Sequence, residues 1–393
     1  MASDAFVERY LLLGLRLGKL TPGLVDAYYG PADLSARVDG EEPSDPAALV
    51  AEASLLLDDL DGSIEDRARA SWLEAQLVGL ETVARRAAGE DMAFVDEVER
   101  CYGVRPAFVP EEVFERAHEK LDRVLPGAGP VKDRYQRWEE SQVVSADVLM
   151  AAFELLSEEL RRRTHDLFGL PGGEEVELGF VKDEPWLAFN YYLGELRSRV
   201  VFNTDLPWLS IDLFSTVAHE LYPGHHTERV LKESLLMRER GWLEESAMLV
   251  GTPQSLLTEG IAMVAPEIVA GEDVDELAAR LLRPLRVPYE PEIAAAVRTH
   301  RRMLTYVAER SNVAFLLHER GATLDDAREY ARRWTLTSND RVDKAIEFVA
   351  DPTWRAYIFC YTEGLELARR FVGGDRKRFH RLLTEQLVPS DLA

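Results

Sequence analysis

SIDLFSTVAHELYPGHHTERV, residues 210–230, repeats apolar side chains at helical spacing. At about 100° per residue, Ile211, Phe214, Ala218 and Leu221 form one stripe, which Leu213 and Val217 widen. Asp212, Ser215, Thr216, His219 and Glu220 share the remaining arc. A helix apolar over most of its surface is buried. Its one polar arc then lines a cavity, and that arc holds the His-Glu pair. Ser210 is placed to cap the helix with its side-chain oxygen.

Three of the eight histidines fall in this stretch: His219, His225 and His226. Imidazole nitrogen suits Zn²⁺, and an adjacent Glu is the base that a metal-activated water needs. The usual helical zinc motif is HExxH, with both histidines on one face at i and i+4. Here Pro223 stands at i+4, and its ring would clash with the carbonyl of His219. The helix must kink or bulge there, and Gly224 gives the backbone that freedom. The second ligand is then His225, carried into the i+4 slot by a bulge, or His226, on nearly the same face at i+7; His225 is preferred. An HE pair alone says little, since His118-Glu119 and His318-Glu319 also occur.

A third ligand is sought downstream. Glu244 and Glu245 follow Gly241 and read as a solvated helix start. Glu259 lies among Leu256, Leu257, Ile261, Ala262, Met263 and Val264, where an ionised carboxylate is costly unless paired or metal-bound. Glu259 is therefore the choice, and Gly260 beside it allows another backbone to approach.

Outward from this stretch the chain is mostly helical. Periodic patterns run over 6–20, 46–60, 65–89, 111–125 and 133–168, and again over 255–270, 292–320, 324–338, 342–350 and 352–372. Between them, 176–181, 186–192 and 199–203 are short aromatic or β-branched runs, parted by Asp183-Glu184-Pro185 and Gly194-Glu195. They read as a small antiparallel sheet. The class is mainly α, a two-lobed helical architecture with a small antiparallel sheet beside the metal-site helix. The 126–133 stretch divides an N-terminal helical lobe, 1–130, from a catalytic lobe, 131–393, with the sheet within 176–204.

Composition narrows the function classes. The chain has 393 residues, 46 basic and 70 acidic, for a net charge of −24. That balance argues against nucleic acid or an anionic membrane as the main partner. Cys101 and Cys360 are the two cysteines and form no CxxC pair, so a thiolate zinc site is excluded. The first twenty residues carry acids and lack the long apolar core of a secretory signal. Phe6, Tyr10, Leu13 and Leu17 fall at helical spacing instead. No run of eighteen apolar residues occurs, so no spanning helix is expected, and the protein reads as cytoplasmic.

HELYPGHH resembles the HExxPGHH signature of a bacterial family filed as domain of unknown function 885. Its members look like helical zinc metallopeptidases of the Glu-ligated type, distantly similar to the carboxypeptidase Taq family. SRVVFNTD at 198–205 looks like the strand placed before the metal helix, with Asn203 near its end. TEGIAM at 258–263 resembles the family's EGWA motif and implies Glu259 as ligand, with Ile261 in place of Trp. Arg310 and His318, followed by Gly321, resemble its R…H…G pattern, although Ala314 stands where Asp is usual. Tyr361 in CYTEG resembles a family tyrosine, without the PGQ lead-in. The resemblance spans about 180–370.

Together these readings describe a zinc-dependent hydrolase with one Zn²⁺ per chain, acting on a small peptide substrate with Glu220 as general base. Arg310, His318 and Tyr361 would stabilise an oxyanion or hold a substrate carboxylate. The strand ending at Asn203 would offer an edge for an extended peptide. The rivals are a metallohydrolase for non-peptide amides or esters, and an inactive metal- or peptide-binding protein of the same fold. Oligomeric state is not legible.

Overall fold

A computed structural model describes residues 2–184, 186–271 and 273–393. Met1 and Pro185, both within stretches interpreted above, lie outside them. Among the described residues helices dominate, with five short strands in two sheets. None of the helices among the described residues is long and apolar enough to cross a membrane.

The first helix, Ala2–Leu20, buries Phe6, Tyr10, Leu13 and Leu17 as its periodicity demands. It packs with Pro46–Ser63 and Arg67–Ala87 around a core of their own. Asp45 and Asp66 cap these two helices by accepting from Ala47 N and Arg69 N, which satisfies amides that the first turn leaves free. A second core joins the helices Glu112–Val124, Val131–Ser141 and Pro291–Arg302. The largest surrounds the helix Pro253–Ala270, where every residue except Glu267 is buried. A helix buried on all sides must be apolar all round, and this one is, save for Glu259 and a few small polar groups.

Strands β1 (Val25–Tyr28) and β5 (Ala247–Leu249) pair antiparallel. Strands β2 (Glu175–Val181), β3 (Ala188–Gly194) and β4 (Arg197–Asn203) form the second sheet in the order β2-β4-β3. β3 and β4 make an antiparallel hairpin whose Glu195 and Leu196 both take positive φ, as a type I′ turn requires. β2 crosses to the far side and runs parallel to β4. The sheet is thus mixed, which corrects the purely antiparallel expectation: local alternation marks strands but not which neighbour each one pairs with.

Other boundaries also differ from the periodic reading. The 133–168 pattern breaks into Val131–Ser141 and Ala146–Phe168, because Val143 and Val144 leave the helix to bond the segment around Trp208 and Leu209. The 292–320 pattern is continuous but widens into a π-helix over Met303–Asn312. Ser210 is the first residue of its helix, not the cap; its hydroxyl donates to Gln142.

Helix Pro253–Ala270 lies backbone to backbone on Ile358–Val372. A Cβ on Gly260 would stand 2.4 Å from Gly364 O, and one on Gly364 would stand 2.5 Å from Leu256 O. Gly62, inside a helix, meets nothing within 4 Å. Gly260→Ala is expected to lower stability in denaturant unfolding by about 1–3 kcal/mol, because the helices must part. Gly62→Ala should raise it by about 0.5–1 kcal/mol, the helix-propensity gain alone.

Candidate metal centre

Helix Ser210–Glu220 buries Ile211, Leu213, Phe214, Val217 and Ala218 and turns His219 to a half-buried arc. The chain does not bulge at Pro223. It stops at Glu220, turns through a cis Tyr222–Pro223 peptide, and starts a new helix at His225–Lys232. Gly224 is required here by close approach: a Cβ would lie 1.8 Å from His219 O and 2.5 Å from Ala218 O. Turning the chain back on itself this tightly brings His225 against His219.

Their Nε2 atoms are 3.1 Å apart, with the rings edge-on. His219 Nε2 is 3.4 Å from Glu259 Oε2, and His225 Nε2 is 3.9 Å from Glu259 Oε1. These three residues each offer a donor atom within 4.8 Å of the others. Donors around one tetrahedral zinc at about 2.0–2.1 Å stand roughly 3.3–3.4 Å apart, so the spacing fits such an ion. Glu220 Oε1 is 4.0 Å from His219 Nε2, beside the cluster.

The electrostatics also fit a cation. Burial, with Arg302, pushes His219 down to about 4. Burial, then His219 and Arg229, holds His225 well below the usual histidine range. Both imidazoles are therefore neutral near pH 7, and two bare lone pairs at 3.1 Å repel unless a proton or a cation stands between them. Burial raises Glu259 to about 8, although the Tyr357 hydroxyl bond opposes the rise. Glu220 is raised by burial, then by Glu259 and Asp26. His225 Nδ1 and Glu259 Oε2 are buried without a hydrogen-bond partner. A buried carboxylate oxygen left in this way is costly.

Around the cluster lies a tyrosine ladder. The Tyr357 hydroxyl donates to Glu259 Oε1 at 2.7 Å. Tyr357 packs on Tyr361 and Tyr361 on Tyr306, each with centroids 5.6 Å apart. The Arg310 guanidinium sits 5.3 Å over the Tyr306 ring, and its Nε is buried without a hydrogen bond, 4.0 Å from Glu309 Oε1. Tyr357 escaped the sequence reading. The signal was present, since Tyr357 and Tyr361 are four apart and share a helix face. Asn190 of β3 escaped too: its side chain donates to Glu220 O at 2.6 Å.

Other expected residues are placed elsewhere. His226 is fully buried away from the cluster, with Nε2 at 2.9 Å from Glu174 and Nδ1 at 2.8 Å from Ser198 Oγ. With both ring nitrogens bonded, it has no lone pair to offer a metal; the helix restart at His225 turns it inward. His318 bonds Val349 O and packs on Phe94, and the charges that act on it are Arg355, Glu97 and Arg86, none of them in the cluster. Asn203 donates to Glu184 O and Trp186 O and accepts from Asp205 N, so it ties down a loop. Its strand β4 is central, and the sheet's free edges belong to β2 and β3. Glu244 and Glu245 are buried rather than solvated; Glu244 holds Arg69, and Glu245 accepts from Gln386.

The fold is shared. A protein from Colwellia psychrerythraea, provisionally described as a lipoprotein, matches at 15% identity with a TM-score of 0.53, over 96% of this chain and 67% of its own. An M32 carboxypeptidase from Deinococcus radiodurans R1 is 13% identical with a TM-score of 0.39, over 97% of this chain and 89% of its own. No family model and no curated protein matches the chain. At 15% identity the likeness to the Colwellia protein speaks to fold alone.

Metal binding at this cluster would carry a proton signature. Near pH 7 the Glu259 carboxyl is protonated in the metal-free protein, because its titration lies near 8, whereas both histidines are already neutral. Loading Zn²⁺ at pH 7 is expected to release at least about one proton, read by calorimetry in buffers of different ionisation enthalpy. Release from Glu259 should fall to about a tenth at pH 9, one unit above its titration near 8, and Glu259→Gln should abolish it together with tight binding.

Proposed function

We propose that this protein is a zinc-dependent hydrolase, a peptidase acting on short peptides, with one Zn²⁺ per chain held by His219, His225 and Glu259. The carrying observation is the Glu220 carboxylate 4.0 Å from His219 Nε2, adjacent to the donor cluster without belonging to it. A purely structural metal site has no use for a buried base at that position.

Zinc supplies polarisation of a carbonyl and acidification of water. Glu220 takes the proton of the attacking water and returns it to the leaving nitrogen. Its raised proton affinity, set by burial and by the neighbouring Glu259 and Asp26, suits a group that must hold a proton between those steps. Tyr361 is half-buried beside the cluster and kept protonated by desolvation and by Glu259. Its hydroxyl would donate to a developing oxyanion. Arg310 supports it from behind Tyr306. Tyr357 orients Glu259. An extended substrate would lie along β3, whose Asn190 is bonded to the end of the metal-site helix; this replaces the role expected of Asn203. The same reading takes the lobe boundary near 126–133, a cytoplasmic location and kinship with domain of unknown function 885.

Glu220→Gln should keep stoichiometric zinc and the thermal midpoint while lowering kcat by roughly 10²–10⁴, the usual worth of a positioned base. Peptide-library cleavage followed by mass spectrometry is the assay. Equal turnover in the variant would remove Glu220 from catalysis, and no cleavage by the zinc-loaded native protein would sink the peptidase reading.

A further inference from the structure

Ligand histidines ordinarily donate their second ring nitrogen to a carboxylate or carbonyl, which fixes the ring. His225 does not: its Nδ1 is buried and without a partner. Something else must hold the ring in place. The residues on either side of the Pro223-Gly224-His225 turn are Tyr222 and His226, and one carboxylate grips both. Glu174 Oε2 accepts from the Tyr222 hydroxyl at 2.7 Å and from His226 Nε2 at 2.9 Å. Its other oxygen accepts from Arg161 at 2.6 Å. Ser198 Oγ, on β4, stands 2.8 Å from His226 Nδ1. With the Ser198 hydroxyl donating, His226 carries its proton on Nε2 and every group in the cluster is satisfied.

Tyr222, His226 and Ser198 are each at most 2% exposed, and the Glu174 side chain is fully buried. Arg161 reaches in from a half-exposed position; the buried remainder, fully satisfied and charge-assisted, is rigid. It spans the break between the two helices that carry His219 and His225.

We infer that Glu174 is the positioning residue of the metal centre. It acts through Tyr222 and His226 rather than through a ligand, displacing by one residue the orienting bond that a ligand histidine normally makes. The role rests on the metal-binding reading of His219, His225 and Glu259. No motif marks Glu174; it lies just ahead of β2, 45 positions before His219 in a Gly-Gly-Glu-Glu stretch.

Zinc affinity of the full chain, measured by competition with a chromophoric chelator, tests this. Glu174→Gln keeps the size but loses the charge. It should weaken zinc binding about 10- to 100-fold, the usual cost of losing an outer-shell partner. Glu233→Gln is the matched control. Glu233 is equally buried and accepts from Tyr192, Leu196 N and Arg238, but does not bond the turn. It should lower the thermal midpoint of the zinc-free protein while changing zinc affinity less than threefold. Tyr222→Phe, which cuts one arm and keeps the ring, should weaken binding several-fold and serves if Glu174→Gln does not fold. Unchanged zinc affinity in both Glu174→Gln and Tyr222→Phe, or an equal loss in Glu233→Gln, would overturn the inference. Absence of zinc binding by the native chain would instead overturn the metal centre itself.

Discussion

Because Gly260 and Gly364 carry no Cβ, two helices run with their backbones in contact through the middle of the protein. That contact sets the depth at which Glu259 sits and the side from which Tyr357 reaches it. One more carbon on either glycine would have to be accommodated by backbone, which yields far less readily than a side chain. The donor cluster therefore inherits its precision from a close helix pair on one side. On the other side it depends on a second backbone contact, Gly224 against the His219 carbonyl.

Four ionisable groups meet in this space, and burial drives all of them toward neutrality. His219 and His225 are pushed down, Glu259 and Glu220 up. The common cause is desolvation, with like charges adding to it. A divalent cation suits such a site, since it binds imidazole in the neutral form that burial favours and supplies the charge that draws the proton from Glu259. Of the basic groups on the helix that carries His225, Arg229 faces Asp26 and Lys232 holds Glu228; Arg302 bears on His219 from outside that helix.

Much of this was legible in the sequence. The helix of residues 210–220, its buried stripe and its polar arc follow from spacing alone, as does the burial of Glu259 in an apolar run. The backbone approach at Gly260 was also foreseeable, though not its partner Gly364. Illegible were features decided by distant residues. Whether His225 or His226 faces the cluster depends on how sharply the chain turns at Gly224, and periodicity carries no information about that. Asn203 looked like an edge residue because alternation identifies a strand without its neighbours; β2, crossing over, made it central. Glu244 and Glu245 looked solvated because Arg69 and Gln386, which cover them, lie some 140 to 175 positions away.

The pairing of β1 with β5 has a temporal side. Tyr29 bonds Glu245 across 216 positions, and Val25 pairs with Leu249. During synthesis at about 5–20 residues per second, β1 leaves the ribosome roughly 10–40 s before its partner strand exists. Over that interval the helices that follow β1 can pack on one another through their own apolar core. The strand itself, bearing the half-buried Asp26 that faces Arg229, stays an open edge. The wall at β1 can thus close as soon as β5 exists, before Glu259 has been made, and the donor set is completed only when the helix Pro253–Ala270 follows.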